Sequence, residues 1–151
     1  MDKTVDQIIH EFELALASSD LSAFPSEPIE SLDSEEKANF YAFDWENGTL
    51  DELLDIYDQL NFVAEHHFVQ LLPRVLRQLV RHSDDPRVGN VYNVVVYRLA
   101  YGTDRWSVIN AANRDLSISM IQAVSSVGAI SLNDIDVEAN EAMRLLISDP
   151  N

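Results

Sequence analysis

The sequence contains no cysteine and only four glycines among its 151 residues. Without cysteine, the chain can form no disulfide, no thiolate zinc site and no cysteine nucleophile. The glycines are scattered, so no glycine-rich loop that would cradle a phosphate can be assembled from them. The absence of cysteine also fits a reducing compartment, and we expect a cytoplasmic protein.

Basic residues are scarce and unevenly placed. Residues 1–72 hold 17 acidic residues against Lys3 and Lys37, whereas residues 73–151 hold all eight arginines against nine acidic residues. The formal net charge of −16 therefore belongs almost entirely to the first half. Nucleic acid and anionic membranes are disfavoured as partners, because the acidic half would repel both. A basic protein partner is favoured instead.

Long apolar runs are also missing, since the longest fall far short of the roughly 20 residues that span a bilayer. The first 17 residues are acidic and amphipathic, so we expect no signal peptide. With 46% hydrophobic residues, the chain can bury a core of ordinary composition. We predict a single domain over 1–151, with an acidic half (1–72) and an arginine-bearing half (73–151).

Hydrophobic periodicity predicts an all-α fold of about seven helices joined by short loops. Capping-box spacings place helix starts near Asp33 and at Thr49, and Thr4 is the expected N-cap of the first helix. Pro73 lies inside the longest periodic segment, where it either kinks one helix or begins a second one. Residues 91–101 have the β-branched composition of a strand. They also keep a helical spacing of apolar residues, and we favour a helix.

Two further helices are expected in the second half of the chain. Thr103 and Asp104 could cap a short helix that reaches about Ile109, and residues 131–134 begin the last helix, which continues from Ile135 to about Asp149.

Two pairs of segments resemble the two-helix unit of HEAT-type solenoids. One pair is LLPRVLRQLV with VYNVVVYRLA, where the first segment carries a proline and the loop between them is rich in aspartate. The other is ISMIQAVSSVGAIS with VEANEAMRLL. The resemblance implies a compact multi-helix domain of antiparallel helix pairs, partly HEAT-like in packing.

No residue pattern predicts a catalytic, cofactor-binding or metal-binding site. His66 and His67 are adjacent, so on a helix they point about 100° apart and are poorly placed to share one ion. Asp134, Asp136 and Glu138 lack the glycine and the twelfth-position carboxylate of a calcium loop. We predict a non-enzymatic protein with no cofactor. A carboxylate-dependent hydrolase remains a third hypothesis, because 26 acidic residues offer many possible pairs.

Two groups of polar and aromatic residues are candidates for binding. The first is Arg74, Arg77 and Arg81, which could hold an anion, although intramolecular ion pairs are favoured by the excess of carboxylates. The second combines aromatic side chains with acids around the turn after residue 43 and on the next helix. The predicted partner-binding residues are Tyr41, Asp44, Trp45, Glu46, Asp51, Glu52, Asp55 and Asp58. For the two aromatic residues, core packing is the alternative.

In size, acidity and lack of catalytic motifs, the chain resembles bacterial toxin-immunity proteins of contact-dependent inhibition and polymorphic toxin systems. The resemblance implies a protein that neutralises a basic toxin domain, such as a nuclease, by occluding its active site. The acids would then supply electrostatic contacts and Tyr41 and Trp45 would supply anchors. The alternative is a regulatory or adaptor helical domain that binds a peptide or an enzyme subunit.

Overall fold

A computed structural model of the chain describes residues 3–19, 34–63, 65–101, 113–130 and 135–146. Within these ranges it contains seven α-helices, one 3-10 helix and no β-strand, which confirms the predicted all-α fold. The elements are α1 (Val5–Ala17), α2 (Ser34–Ala42), α3 (Leu50–Ile56), the 3-10 helix (Tyr57–Phe62), α4 (Glu65–Arg81), α5 (Val88–Ala100), α6 (Arg114–Ala129) and α7 (Val137–Arg144).

Capping boxes fix the starts of two helices, at the two threonines that the sequence predicts as N-caps. The Thr4 hydroxyl accepts from the backbone N–H of Gln7, whose side chain accepts from the N–H of Thr4 in return. Thr49 and Glu52 form the same reciprocal pair at the start of α3. Each box satisfies backbone N–H groups that have no partner inside the helix.

The last helix begins later than predicted. The sequence indicated a helix that begins within 131–134 and continues through Ile135, but Ile135 and Asp136 are not helical. Instead the Asp136 carboxylate accepts from the backbone N–H of Ala139 at 3.0 Å and caps α7. Aspartate is among the best N-cap residues, and its own helical propensity is low.

The ambiguous segment 91–101 is helical, as favoured from its spacing. Burial explains why this segment forms a helix although its composition favours a strand. One stripe of α5 faces the core, and β-branched residues on that stripe bury as much apolar surface in a helix as in a strand. The large apolar side chains of α5 that are fully or almost fully buried are Val88, Val91, Tyr92, Val95, Val96 and Leu99.

Pro73 lies inside one helix, because α4 runs without interruption from Glu65 to Arg81. Of the two alternatives left open by the sequence, a second helix beginning at Pro73 is therefore excluded. The helix is held in the core by a continuous apolar stripe on both sides of the proline. Its members are Phe68, Val69, Leu72, Val75, Leu76 and Leu79, each at most 1% exposed.

The core is formed mainly by contacts between elements distant in sequence. Helix α1, in which Ile9 and Phe12 are fully buried, packs against α6 and α4, and α5 packs against α7 and the 3-10 helix. The two pairs predicted to be HEAT-like, α4 with α5 and α6 with α7, touch less extensively than these. The HEAT-like pairing is therefore not confirmed.

Some predictions lie outside the described residues. They are the capping residue Asp33 and a short helix expected between residues 103 and 109. None of the helices that the structure describes is long and apolar enough to cross a membrane.

Candidate functional site

Helix α3 and the 3-10 helix present four carboxylates to solvent. Leu50, Leu53 and Ile56 are buried on one side of α3, so the other side must face water. The sequence-predicted face is thus confirmed as an exposed surface. We call it the acidic surface, and its members are Asp51, Glu52, Asp55 and Asp58, all exposed.

The four carboxylates differ in their internal partners. Asp51 accepts from the Arg87 guanidinium at 3.2 Å, but the Asp51 side chain is 83% exposed. Glu52 is committed to the capping box of α3. Asp55 and Asp58 form no ion pair within the described ranges, so their charge is unneutralised. A partner could contact these two without breaking an internal salt bridge.

The loop between α4 and α5 extends the negative charge beyond Asp51. Asp84 and Asp85 line a cleft of about 490 Å³ together with Asp51, His82 and Arg87. The Arg87 guanidinium donates to Asp85 at 2.9 Å and holds the pKa of that carboxyl below its ordinary value. The sequence indicated only a loop at residues 83–86, since nothing in its local pattern shows that it folds beside α3.

Asp44 has a structural role in the turn that precedes α3. Its carboxylate accepts from the backbone N–H groups of Asn47 and Glu46, both at 3.0 Å, and these bonds hold its pKa below the ordinary value. The turn closes with Gly48, whose N–H donates to the Asp44 carbonyl at 2.7 Å. A Cβ at residue 48 would lie 2.5 Å from the Phe43 ring, so the close approach requires glycine. The predicted turn is confirmed.

The aromatic residues divide between core and surface. Phe40 and Phe43 are three residues apart, a spacing that predicts core positions for both, and the structure buries Phe40 almost fully and Phe43 partly. The Trp45 ring packs edge-on against both, with centroid distances of 4.7 Å to Phe43 and 6.0 Å to Phe40, and is half-buried. Tyr41 stands out from the surface with 63% of its area exposed. Core packing therefore accounts for part of Trp45 but not for Tyr41.

Tyr41 and Trp45 line a groove against α4, which we call the aromatic groove. Its volume is about 310 Å³, and Phe40, Val63, Leu71 and Arg74 also contribute to its walls. None of the acidic surface residues lines it. The structure thus separates the predicted binding residues into an aromatic groove and an acidic surface, joined by the turn that carries Asp44 and Glu46.

The three arginines of α4 line a second concavity, which we call the Arg pocket. Its volume is about 400 Å³, and its walls are Glu13, Trp45, Glu46, Arg74, Arg77, Gln78 and Arg81.

Ion pairing is confirmed for one of these arginines. Arg77 donates to both carboxylate oxygens of Glu13, at 2.7 and 3.3 Å, and this hydrogen bonding lowers the pKa of Glu13. Arg81 donates at 2.8 Å to the backbone carbonyl of Glu46. Arg74 is exposed and makes no ion pair within the described part of the chain. The favoured explanation, internal ion pairs, therefore covers Arg77 but not Arg74.

Arg98 is a residue whose importance the sequence did not indicate. Its guanidinium donates to the backbone carbonyls of Leu60 and Val63 and lies 4.6 Å from the centre of the Phe68 ring. These contacts tie α5 to the end of the 3-10 helix, which carries Asp58. An arginine in a helix gives no local sign of such a partner, because both carbonyls lie more than 30 residues away in the chain.

The described histidines do not form a metal site with neighbouring carboxylates. Among the described residues, no group of three or more His, Asp or Glu side chains could hold a metal ion. His67 lies on the wall of the aromatic groove, and His82 lines the cleft beside Asp84. The side chain of His66 and the residue Asp134 lie outside the description.

No protein-family model, curated protein or solved structure matches this chain. Its function must therefore be inferred from its own surfaces. The acidic surface differs sharply in chemistry from the adjoining Arg pocket and aromatic groove. The acidic surface offers unneutralised carboxylates, whereas the Arg pocket and the aromatic groove offer guanidinium groups beside exposed aromatic area.

Proposed function

We propose that this protein is a non-enzymatic binding protein whose acidic surface docks on a basic protein. The observation that carries the proposal is the row of exposed carboxylates on α3 and the 3-10 helix, where Asp55 and Asp58 have no internal ion pair in the described residues. Leu50, Leu53 and Ile56 anchor that row from the buried side, so it is held on a fixed backbone.

The electrostatics favour rapid capture of a cationic partner. A net charge of −16 produces a negative field around the chain. The cleft with Asp84 and Asp85 enlarges the negative area next to Asp51. Opposite charges steer encounters and raise the association rate, and this effect falls as salt screens the charges.

In its specific form, we propose that the partner is a basic toxin domain, such as a nuclease, and that binding blocks the toxin's active site. The support is the resemblance in size and acidity to bacterial immunity proteins. The physical argument is that the active site of a nuclease carries cationic groups that bind phosphate. Carboxylates held on a fixed helix can pair with the same cationic groups. Asp44 and Glu46 extend the contact toward Trp45 and the exposed Tyr41.

Neutralising the acidic surface tests the proposal. The variant combines Asp51→Asn, Glu52→Gln, Asp55→Asn and Asp58→Asn, in which glutamine keeps the capping box of α3. Against a panel of purified basic nuclease domains, we expect the wild-type chain to bind and inhibit its target. The variant's association rate constant at low salt should be lower by about tenfold or more. Biolayer interferometry at several salt concentrations measures this.

A matched control removes the same number of charges elsewhere. Glu11→Gln, Asp115→Asn, Glu138→Gln and Glu141→Gln also raise the net charge by four, but none of them lies on the acidic surface. We expect the control to keep most of the association rate. Equal losses in both variants, or an unchanged rate and salt dependence in the first one, would contradict the proposal.

A further inference from the structure

The Arg pocket and the aromatic groove adjoin each other, since Trp45 and Arg74 line both. The Arg pocket is polar and carries three guanidinium groups, whereas the walls of the aromatic groove are aromatic and aliphatic apart from His67, Gln70 and Arg74. Together they form a continuous depression between α4 and the segment from Phe40 to Glu46. No residue of the acidic surface lines this depression, so binding of a small ligand here can be tested separately from docking of the acidic surface on a basic protein.

Positive charge is concentrated here in a strongly acidic protein. Arg74, Arg77 and Arg81 are spaced at three and four residues and therefore share one side of α4. Three of the chain's eight arginines thus face two glutamates in one pocket. Because Arg77 is held by Glu13, Arg74 and Arg81 are the groups with donors left for a bound anion. A planar guanidinium suits a carboxylate well.

Gln78 adds a requirement for a hydrogen-bond donor. The residue is 1% exposed and lies in the wall of the Arg pocket. Its Nε2 donates to the Trp45 carbonyl at 2.9 Å, which fixes the orientation of the amide. Its Oε1 is buried and accepts no hydrogen bond from the residues that the structure describes. A buried acceptor without a donor is costly, and a ligand N–H that enters the pocket wall beside Gln78 by a small shift of the neighbouring side chains would satisfy it.

The adjoining aromatic groove suits a large apolar side chain. Tyr41 is mostly exposed, although its ring could be covered by a ligand that also contacts Leu71 and the exposed side of Trp45. A doubly charged phosphate fits this arrangement poorly. Glu13, Glu46 and the Gln78 oxygen would repel it, and it has no apolar part to place in the groove.

We propose that this depression binds the C-terminal end of a peptide whose last residue is large and apolar. The terminal carboxylate lies between Arg74 and Arg81, and the last peptide N–H is directed to the Gln78 oxygen. The last side chain fills the aromatic groove. The charge of the arginines and the apolar walls thus recognise two neighbouring groups of one residue.

Three small probes dissect this recognition. N-acetyl-L-phenylalanine carries the carboxylate, the N–H and the ring. N-acetyl-L-phenylalanine amide, the second probe, lacks the negative charge, and N-acetylglycine, the third, lacks the ring. In a titration followed by NMR of the arginine Nε–H and Trp45 indole signals, we expect the first probe to bind. The other two should bind more weakly, each by about tenfold. Equal affinity of the amide, or no shift of the Trp45 signal, would overturn the proposal.

Two variants locate the site. Arg74→Gln removes an exposed arginine without an ion pair in the described ranges, so circular dichroism should show an intact fold. We expect it to weaken N-acetyl-L-phenylalanine binding about tenfold. Arg144→Gln makes the same charge change on α7, lines neither concavity and should bind like the wild type. If both variants lose affinity equally, the probe responds to net charge and the proposed site is wrong.

Discussion

Replacing Arg98 by methionine is expected to lower the free energy of unfolding by about 3 kcal/mol, because two charge-assisted hydrogen bonds are lost at once. The guanidinium donates to the carbonyls of Leu60 and Val63, and both of these residues are almost completely buried. Methionine keeps apolar contact with Phe68 but supplies no donor. Urea denaturation followed by circular dichroism measures the change.

Two further variants separate this role from a general effect of charge. Arg98→Lys keeps one charged donor and should recover part of the lost stability. Arg144→Met removes an exposed arginine whose nearest described carboxylate, on Glu141, is 3.9 Å away, and it should change stability by less than about 0.5 kcal/mol. Equal effects of the methionine substitutions at 98 and 144 would show that the ties to the 3-10 helix contribute nothing specific.

Replacing Gly128 by alanine is expected to destabilise the fold by about 2 kcal/mol, although the same change in an exposed helix would stabilise it. A Cβ at residue 128 would lie 2.1 Å from the Tyr92 Oη and 2.5 Å from its Cζ. Tyr92 is fully buried, and its hydroxyl donates to Asn140 Oδ1 at 2.9 Å. The ring cannot yield without breaking that bond and disturbing the contact between α5 and α7. Thermal and urea unfolding both report the loss.

A double-mutant cycle tests the cause. Tyr92→Phe removes the nearest atom, so Gly128→Ala should cost about 1 kcal/mol less in that background. The burial of the Tyr92 phenol can be measured separately by an alkaline absorbance titration, because burial raises the pKa of Tyr92 to about 12. The neutral phenol is favoured in the folded state, so its contribution to stability is complete below pH 10 and is lost as the pH rises through about 12. If the cycle shows no coupling, the clash with Tyr92 is not the cause.

Local features of the fold followed from local signals. Thr4 and Thr49 mark helix starts because their side chains pair with residues three positions away. For α5, the spacing of the valines predicted a helix correctly, although valine itself has a high propensity for strands. The last helix was placed too early, because several residues from Ser131 to Asp136 can cap a helix and the sequence does not rank them.

The candidate sites were less predictable, because they depend on contacts between distant segments. The exposure of Asp51 and Asp55 followed from the helical period, whereas Asp58 was expected on the same α-helix and lies in the 3-10 helix that follows it. That Tyr41 and Trp45 face α4 instead of the acidic surface depends on how α2 packs, which no short pattern encodes. Gln78 and Arg98 gave no sequence signal either, since each acts on a backbone carbonyl more than 30 residues away.

The packing of α1 has a consequence for how the protein is made. This helix, in which Ile9 and Phe12 are buried, packs against α4 and α6, and α6 begins at Arg114, roughly 100 residues after α1 ends. During synthesis at about 5–20 residues per second, several seconds therefore pass before α6 is made and can cover the apolar side of α1. Because the core is closed by two segments far apart in the chain, folding is completed only after most of the chain has been synthesised. Until then, repulsion between its negative charges is what keeps the unfolded chain from associating with other chains.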